Sequence, residues 1–141
     1  MRADVSGVLE TCLYADDLAA AERFYAGIIG LEVYARQAGR HVFFRCGRGM
    51  LLVFDPGATQ RGQEIAGERG QLRHGAVGAG HVAFRVEEAA LGSWRERLGG
   101  AGIQLEAEVR WPKGGRSLYL RDPAGNSVEL ATPAVWGLPA D

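Results

Sequence analysis

Short runs in which apolar and polar residues alternate recur along the chain, and each is typical of a strand with one buried side. In GHVAFRV, residues 80–86, Val82 and Phe84 fall on one side and His81 and Arg85 on the other. We therefore expect the histidine that opens this strand to point away from the apolar layer.

The first half of the chain is predicted to have the order β-α-β-β-β. Residues 8–15 are strand-like, and Asp16 and Asp17 offer an N-cap for a helix that Gly30 ends. Helical spacing places four residues on its inner side: Leu18, Ala21, Tyr25 and Ile28. Three further strands are predicted at residues 31–37, 41–46 and 50–54.

The second half repeats this order. After the strand at 80–86 come an acidic helix start, a helix with Leu91, Trp94 and Leu98 inward, and strands at 103–111, 116–121 and 127–131. Shifting one half over the other by 71 residues aligns Glu10 with His81. The pattern favours an α+β fold made of an internal repeat.

Residues 55–80 are rich in glycine and polar residues, and they have no sustained period. They are predicted to form a long connection between the two halves, with a lid as one role. His74 lies in this connection, and both a lid residue and a proton carrier fit its type.

Length and charge narrow the function. At 141 residues the chain fits one domain, and its net charge of −1 favours a small-molecule partner over nucleic acid or a membrane surface. The start of the chain lacks the pattern of a signal peptide, so the cytoplasm is the expected location. The two cysteines, Cys12 and Cys46, have no paired spacing and are expected to be reduced.

Three strands bring polar residues to the side opposite the apolar layer. This side carries Glu10, Cys12 and Tyr14 in the first strand, His81, Ala83 and Arg85 in its repeat, and Ser127, Glu129 and Ala131 in the last. Two carboxylates in a partly dry cavity repel each other unless a cation lies between them. A divalent metal with one imidazole and two carboxylate ligands resolves this conflict. The alternative is that Glu10 and His81 are solvated residues of the sheet surface, and either residue taken alone favours it.

The runs LETCLYADDLAAAERFYAGIIGLEV, GHVAFRV and SLYLRDPAGNSVEL resemble the vicinal oxygen chelate superfamily, and the resemblance covers nearly the whole chain. This superfamily includes glyoxalase I, extradiol dioxygenases, fosfomycin-resistance transferases and bleomycin-binding proteins. The resemblance implies one domain over 1–141, with two βαβββ modules, 8–54 and 80–132. It further implies a cupped, half-barrel mixed sheet with helices outside, and a homodimer.

The resemblance implies a divalent metal held by Glu10, His81 and Glu129. Glu10 stands where the family usually has histidine, and the place of a fourth ligand falls at Leu51 or Leu52, which cannot bind a metal. This argues against glyoxalase I, whose bacterial forms use four ligands, and favours a three-ligand site. Two hard oxygens favour manganese or iron, with zinc and nickel as alternatives.

Substrate contacts are predicted beside this metal. Tyr119 matches a tyrosine that lines the substrate site of fosfomycin-resistance proteins, which makes it the candidate catalytic residue, and ordinary strand packing is its alternative. Candidate substrate contacts are Cys12, Ser117 and Arg121, which share the polar side by alternation, and Arg116, which with Lys113 could hold an anionic group from the loop WPKGGRS. A solvated hairpin is the alternative for that loop.

The predicted function is a metal-dependent lyase, dioxygenase or transferase that binds a small substrate through its oxygens. Glyoxalase, dioxygenase and fosfomycin-type chemistry all stay open. The alternative from another class is a drug- or ligand-binding protein of the bleomycin-resistance type, which uses the same cup without a metal.

Overall fold

The structure is a computed structural model that describes residues 2–61 and 72–141. The chain forms two compact units, Met1–Val77 and Gly78–Asp141. Each unit is described by itself below.

The first unit has a mixed four-stranded sheet and a helix between its first two strands. Its elements are β1 (Glu10–Tyr14), α1 (Leu18–Glu22) with a continuation over Arg23–Ile29, β2 (Glu32–Gln37), β3 (His41–Cys46), β4 (Gly49–Phe54) and α2 (Pro56–Arg61). The strand order is β1-β4-β3-β2, in which β1 runs parallel to β4 and the other pairs are antiparallel.

The second unit repeats this arrangement. Its elements are β5 (His81–Arg85), a 3₁₀ turn (Glu88–Ala90), α3 (Leu91–Gly100), β6 (Ala107–Arg110), β7 (Arg116–Arg121), β8 (Ser127–Ala131) and a last 3₁₀ turn (Pro133–Trp136). The order β5-β8-β7-β6 again has one parallel pair, β5 with β8. The predicted α+β class and the βαβββ repeat are confirmed.

The first helix departs from the predicted spacing. Asp17 caps it as predicted, because its Oδ1 accepts a hydrogen bond of 2.9 Å from the backbone of Ala20. The helix then widens into π-helical turns over Arg23–Ile29, so the buried residue near its end is Ile29 rather than the predicted Ile28. Sequence spacing assumes 3.6 residues per turn and therefore misses this added residue.

Helix α3 ends at Gly100, several residues before β6 begins at Ala107. Gly102 adopts φ 75°, and the backbone nitrogen of Ile103 donates to the Leu98 carbonyl at 2.9 Å, which is a Schellman ending. The strand β6 covers Ala107–Arg110 and is shorter than the predicted strand at 103–111, although the backbone nitrogen of Glu106 already donates to the Tyr119 carbonyl at 2.7 Å.

The connection at 55–80 contains a helix that the prediction lacked. Asp55 begins α2, since its Oδ1 accepts hydrogen bonds from Gly57 and Ala58 at 2.8 and 3.3 Å. Residues 62–71 of the predicted lid lie outside the described residues. None of the helices in the described ranges is both long and apolar enough to span a bilayer.

Each sheet buries one face. In the first unit, Tyr25 of the helical segment packs against Phe44 of β3, with ring centroids 5.8 Å apart, and Leu13 and Val53 are buried as well. In the second unit the buried positions include Val82, Phe84, Leu91, Leu98, Leu118 and Leu130. The polar residues of interest lie on the opposite face of each sheet.

Candidate functional site

His81 opens β5 on the side predicted for it. Val82 and Phe84 are buried, whereas His81 and Arg85 are exposed, so the alternation is confirmed. The Nδ1 atom of His81 lies 3.1 Å from the carbonyl oxygen of Ser127, directly opposite it in the parallel pair. Nδ1 is also 3.2 Å from the Ser127 hydroxyl. The carbonyl oxygen only accepts, so the hydrogen bond to it forms when Nδ1 carries the proton.

Glu129 lies beside His81 on the neighbouring strand. Its side chain is 10% exposed, and its Oε1 is 3.3 Å from Nε2 of His81. The other carboxylate oxygen, Oε2, accepts a hydrogen bond of 2.6 Å from the hydroxyl of Ser117 on β7. The structure thus joins two of the three predicted metal ligands within one unit.

The pair formed by His81 and Glu129 fits a cation. In the neutral imidazole with its proton on Nδ1, Nε2 offers a lone pair, and it faces the lone pairs of a carboxylate oxygen. Such a contact requires a proton or a metal ion between the two atoms. Ligand distances of about 2.1 Å place a nitrogen and an oxygen about 3.0 Å apart at a right angle and about 3.4 Å at a tetrahedral angle. The observed 3.3 Å falls within this range.

Ser117 and Tyr119 flank Glu129 from β7. Ser117 is fully buried, and its Oγ accepts a hydrogen bond of 2.9 Å from the indole nitrogen of Trp111. Tyr119 lies directly opposite Glu129 in the antiparallel pair. Burial, and then the negative charge of Glu129, raise the pKa of Tyr119 above its ordinary value.

The two predicted substrate arginines are engaged elsewhere. Arg121 donates to Glu106 at 2.6 and 2.9 Å and to the Gly125 carbonyl at 3.0 Å. Arg116 lies on the face of β7 opposite Ser117, with its Nε 3.5 Å from Glu88. The structure therefore does not bring Arg116 into the group around Glu129, because adjacent strand residues point to opposite faces.

The first unit carries its own polar group. Glu10 and Cys12 are exposed at the start of β1, and the thiol of Cys12 lies 3.7 Å from the Tyr14 hydroxyl. That hydroxyl is 2.6 Å from Nδ1 of His74, whose ring packs edge-on against Phe54 at 4.7 Å. Burial, followed by the hydrogen bond with Cys12, raises the pKa of Tyr14 to about 12.

Within the described residues, no group of three or more His, Cys, Asp and Glu side chains is close enough to hold a metal. The contribution of Glu10 to a site with His81 and Glu129 therefore stays a prediction. The same holds for the substrate contacts of Cys12, Ser117, Arg116 and Arg121.

The family model for the glyoxalase/bleomycin resistance protein/dioxygenase superfamily matches residues 7–130. The chain belongs to this superfamily. Comparison with curated protein sequences gave no significant match.

Solved structures of this superfamily are similar to the chain. Lactoylglutathione lyase from Agrobacterium tumefaciens is 46% identical, with a TM-score of 0.87 over 95% of this chain and 98% of that chain. A glyoxalase/bleomycin resistance protein/dioxygenase from Nocardioides is 21% identical, with a TM-score of 0.70 over 99% and 91% of the two chains. A fosfomycin resistance protein from Listeria monocytogenes is 19% identical, with a TM-score of 0.67 over 90% and 91%. The last two show the fold alone.

The strand register shows which leucine stands where the resemblance implies a fourth ligand. Leu52 lies opposite Cys12 and Phe43, as Glu129 lies opposite Ala83 and Tyr119 in the second unit. Leu52 is therefore the counterpart of Glu129, while Leu51 belongs to the fully buried core. An apolar side chain stands where the repeat would supply a second carboxylate.

The hydrogen bond from the Trp111 indole to Ser117 was not predicted from the sequence. Trp111 ends the strand predicted at 103–111, whereas in the structure β6 stops at Arg110 and Trp111 begins the turn that leads to β7. The sequence shows only that Trp111 lies six residues before Ser117, which is predicted to share the polar side with Glu129. Such proximity does not predict a hydrogen bond, which here depends on how the turn folds.

Proposed function

We propose that this superfamily member is a metal-dependent enzyme whose divalent ion is held by Glu10, His81 and Glu129. We further propose that residues 1–141 act as one domain with modules 8–54 and 80–132. The observation that carries the proposal is the 3.3 Å separation between His81 Nε2 and Glu129 Oε1, a spacing that a nitrogen and an oxygen ligand of one metal ion can adopt. Membership of the superfamily and the 46% identical lyase support an enzymatic activity.

The bound ion would supply a Lewis acid that polarises substrate oxygens and stabilises negative charge on them. The chain's own residues supply orientation and proton contacts. Ser127 holds the ring of His81 through Nδ1, and Ser117 holds one oxygen of Glu129. Tyr119, opposite Glu129, is the phenol we propose to contact the substrate. Cys12 is a second proposed contact, since it is exposed on the face that carries Glu10.

The ion pairs of Arg116 and Arg121 bear on the charge of the substrate. Arg121 and Arg116 already pair with Glu106 and Glu88, so a substrate anion would have to displace a carboxylate from either of them. We propose that the metal ligands, rather than these arginines, provide most of the binding to substrate oxygens. An uncharged or weakly charged oxygen-bearing substrate suits this arrangement.

Formation of lactoylglutathione is the first reaction to test, because the lyase from Agrobacterium tumefaciens is 46% identical. Leu52 implies that any such activity here uses three protein ligands. Metal-dependent formation of lactoylglutathione from glutathione and methylglyoxal, absent in the metal-free protein, would support this chemistry. An inactive but metal-loaded protein would direct attention to other oxygen-bearing substrates.

Elemental analysis tests the ligand set. The parent, stripped by a chelator and offered manganese, iron, zinc and nickel in turn, is expected to bind one ion per chain. Glu10→Gln, His81→Ala and Glu129→Gln should each reduce the metal content, while Glu96→Gln, an exposed glutamate on α3, should not. Equal metal content in all variants, or none in the parent, would refute the site. A metal-free parent that binds a bulky cationic drug would instead support the bleomycin-resistance type.

A further inference from the structure

Three residues of the second unit form a continuous hydrogen-bonded line that ends on Glu129. The indole nitrogen of Trp111 is 2.9 Å from Ser117 Oγ, which is 2.6 Å from Glu129 Oε2. An indole N–H only donates and an ionised carboxylate only accepts. The single proton of the Ser117 hydroxyl must therefore point to Glu129, so the direction of the whole line is fixed.

Because of these hydrogen bonds, the two carboxylate oxygens of Glu129 have different partners. Oε2 is engaged by a fully buried serine, while Oε1 faces Nε2 of His81 at 3.3 Å. Rotation of the carboxylate would break the bond to Ser117 and leave a buried hydroxyl without its acceptor. The arrangement thus holds one oxygen toward the histidine and the other away from it.

The hairpin before β7 builds this line. Trp111 and Gly115 close the turn through a backbone hydrogen bond of 3.0 Å, which brings the indole back over the start of β7. Gly115 has φ 84°, and a Cβ there would lie 2.5 Å from the backbone nitrogen of Val135. The close approach to the last 3₁₀ turn requires glycine and fixes the hairpin where Trp111 reaches Ser117.

We propose that Ser117, oriented by Trp111, is a positioning residue that makes Glu129 a single-oxygen metal ligand. We propose this positioning role in place of the predicted contact between Ser117 and the substrate, because the Ser117 side chain is fully buried. The inference rests on the proposed function, in which Glu129 binds the metal. Outer partners of metal ligands typically change metal affinity by about 10- to 100-fold.

Calorimetric titration of the metal-free protein with manganese tests the inference. Ser117→Ala is expected to bind about 10- to 100-fold more weakly than the parent. Trp111→Phe, which keeps the Ser117 hydroxyl but removes the donor that orients it, should fall between the two. Ser93→Ala, the same substitution at an exposed position of α3, should match the parent.

The cobalt-loaded proteins give a readout that a merely structural role would not change. The visible spectrum of cobalt depends on its coordination geometry. In Ser117→Ala the Oε2 atom of Glu129 loses its hydrogen bond from Ser117, so we expect a cobalt spectrum that differs from that of the parent.

The outcomes separate this inference from the proposed function. A parent that binds none of the offered metals overturns both. A folded Ser117→Ala protein with the parent's affinity and cobalt spectrum overturns the positioning role and leaves the ligand set intact. If Ser117→Ala does not fold, the parent's affinity and spectrum in Trp111→Phe overturn the positioning role in the same way.

Discussion

Asn126 is expected to stabilise the strand start that carries His81. Its side chain is nearly fully buried at 2% exposure, its Oδ1 accepts from Gly80 at 2.8 Å, and its Nδ2 donates to Asp122 at 2.9 Å. Gly80 directly precedes His81, and its carbonyl accepts from Ser127 at 2.9 Å. Asn126→Ala removes these two side-chain hydrogen bonds at the point where β5 and β8 begin to pair.

The structure gives the size of the effect. Asp122 is buried and keeps its hydrogen bonds from Ala124 and from the Asn126 backbone, while Gly80 is exposed and can bind water instead. An unsatisfied buried group costs about 1–3 kcal/mol, with the exposed Gly80 at the low end, so the sum is about 2–4 kcal/mol. For a chain of this length that lowers Tm by roughly 5–15 °C.

Thermal unfolding followed by circular dichroism measures this loss. Gln104→Ala, which removes an exposed amide of the same unit, serves as the matched control and should change Tm little. We also expect Asn126→Ala to weaken manganese binding, because His81 loses its fixed neighbour. A Tm for Asn126→Ala equal to that of Gln104→Ala would refute the assigned role of these two hydrogen bonds.

Three further predictions follow from the two units. Tyr119→Phe should lower turnover or ligand affinity and leave the metal content near the parent's, because Tyr119 lies beside Glu129 without belonging to the ligand set; elemental analysis that shows lost metal would contradict this. Tyr14, whose pKa is raised from 10.0 to about 12, stabilises the folded protein fully below pH 10 and loses this contribution as the pH rises toward 12; Tyr14→Phe should reduce the late part of an ultraviolet titration, and an unchanged titration would contradict the assignment. Because β1 and β5 are edge strands of their own sheets, we expect a homodimer that covers exposed edges; sedimentation of an active monomer at micromolar concentration would disprove it.

Sequence alone determined which side of each strand is polar and that the chain repeats. Strand side chains alternate with a period of two, so the positions of His81 and Glu129 on one side follow from their neighbours Val82 and Leu130. The order of elements follows from turn and capping residues, of which Asp17 is an example. These are local properties, and local pattern suffices to predict them.

Tertiary structure decided which of these side chains meet. His81 bonds to Ser127, 46 residues away, and Tyr14 bonds to His74, 60 residues away, because strand order and a returning segment bring them together. The same holds for the hairpin that brings Trp111 to Ser117 and for the ion pair that Arg116 forms with Glu88 on the other face. Alternation assigns a residue to a side of its strand, but the partners across the sheet depend on register and on how turns fold, which no local period encodes.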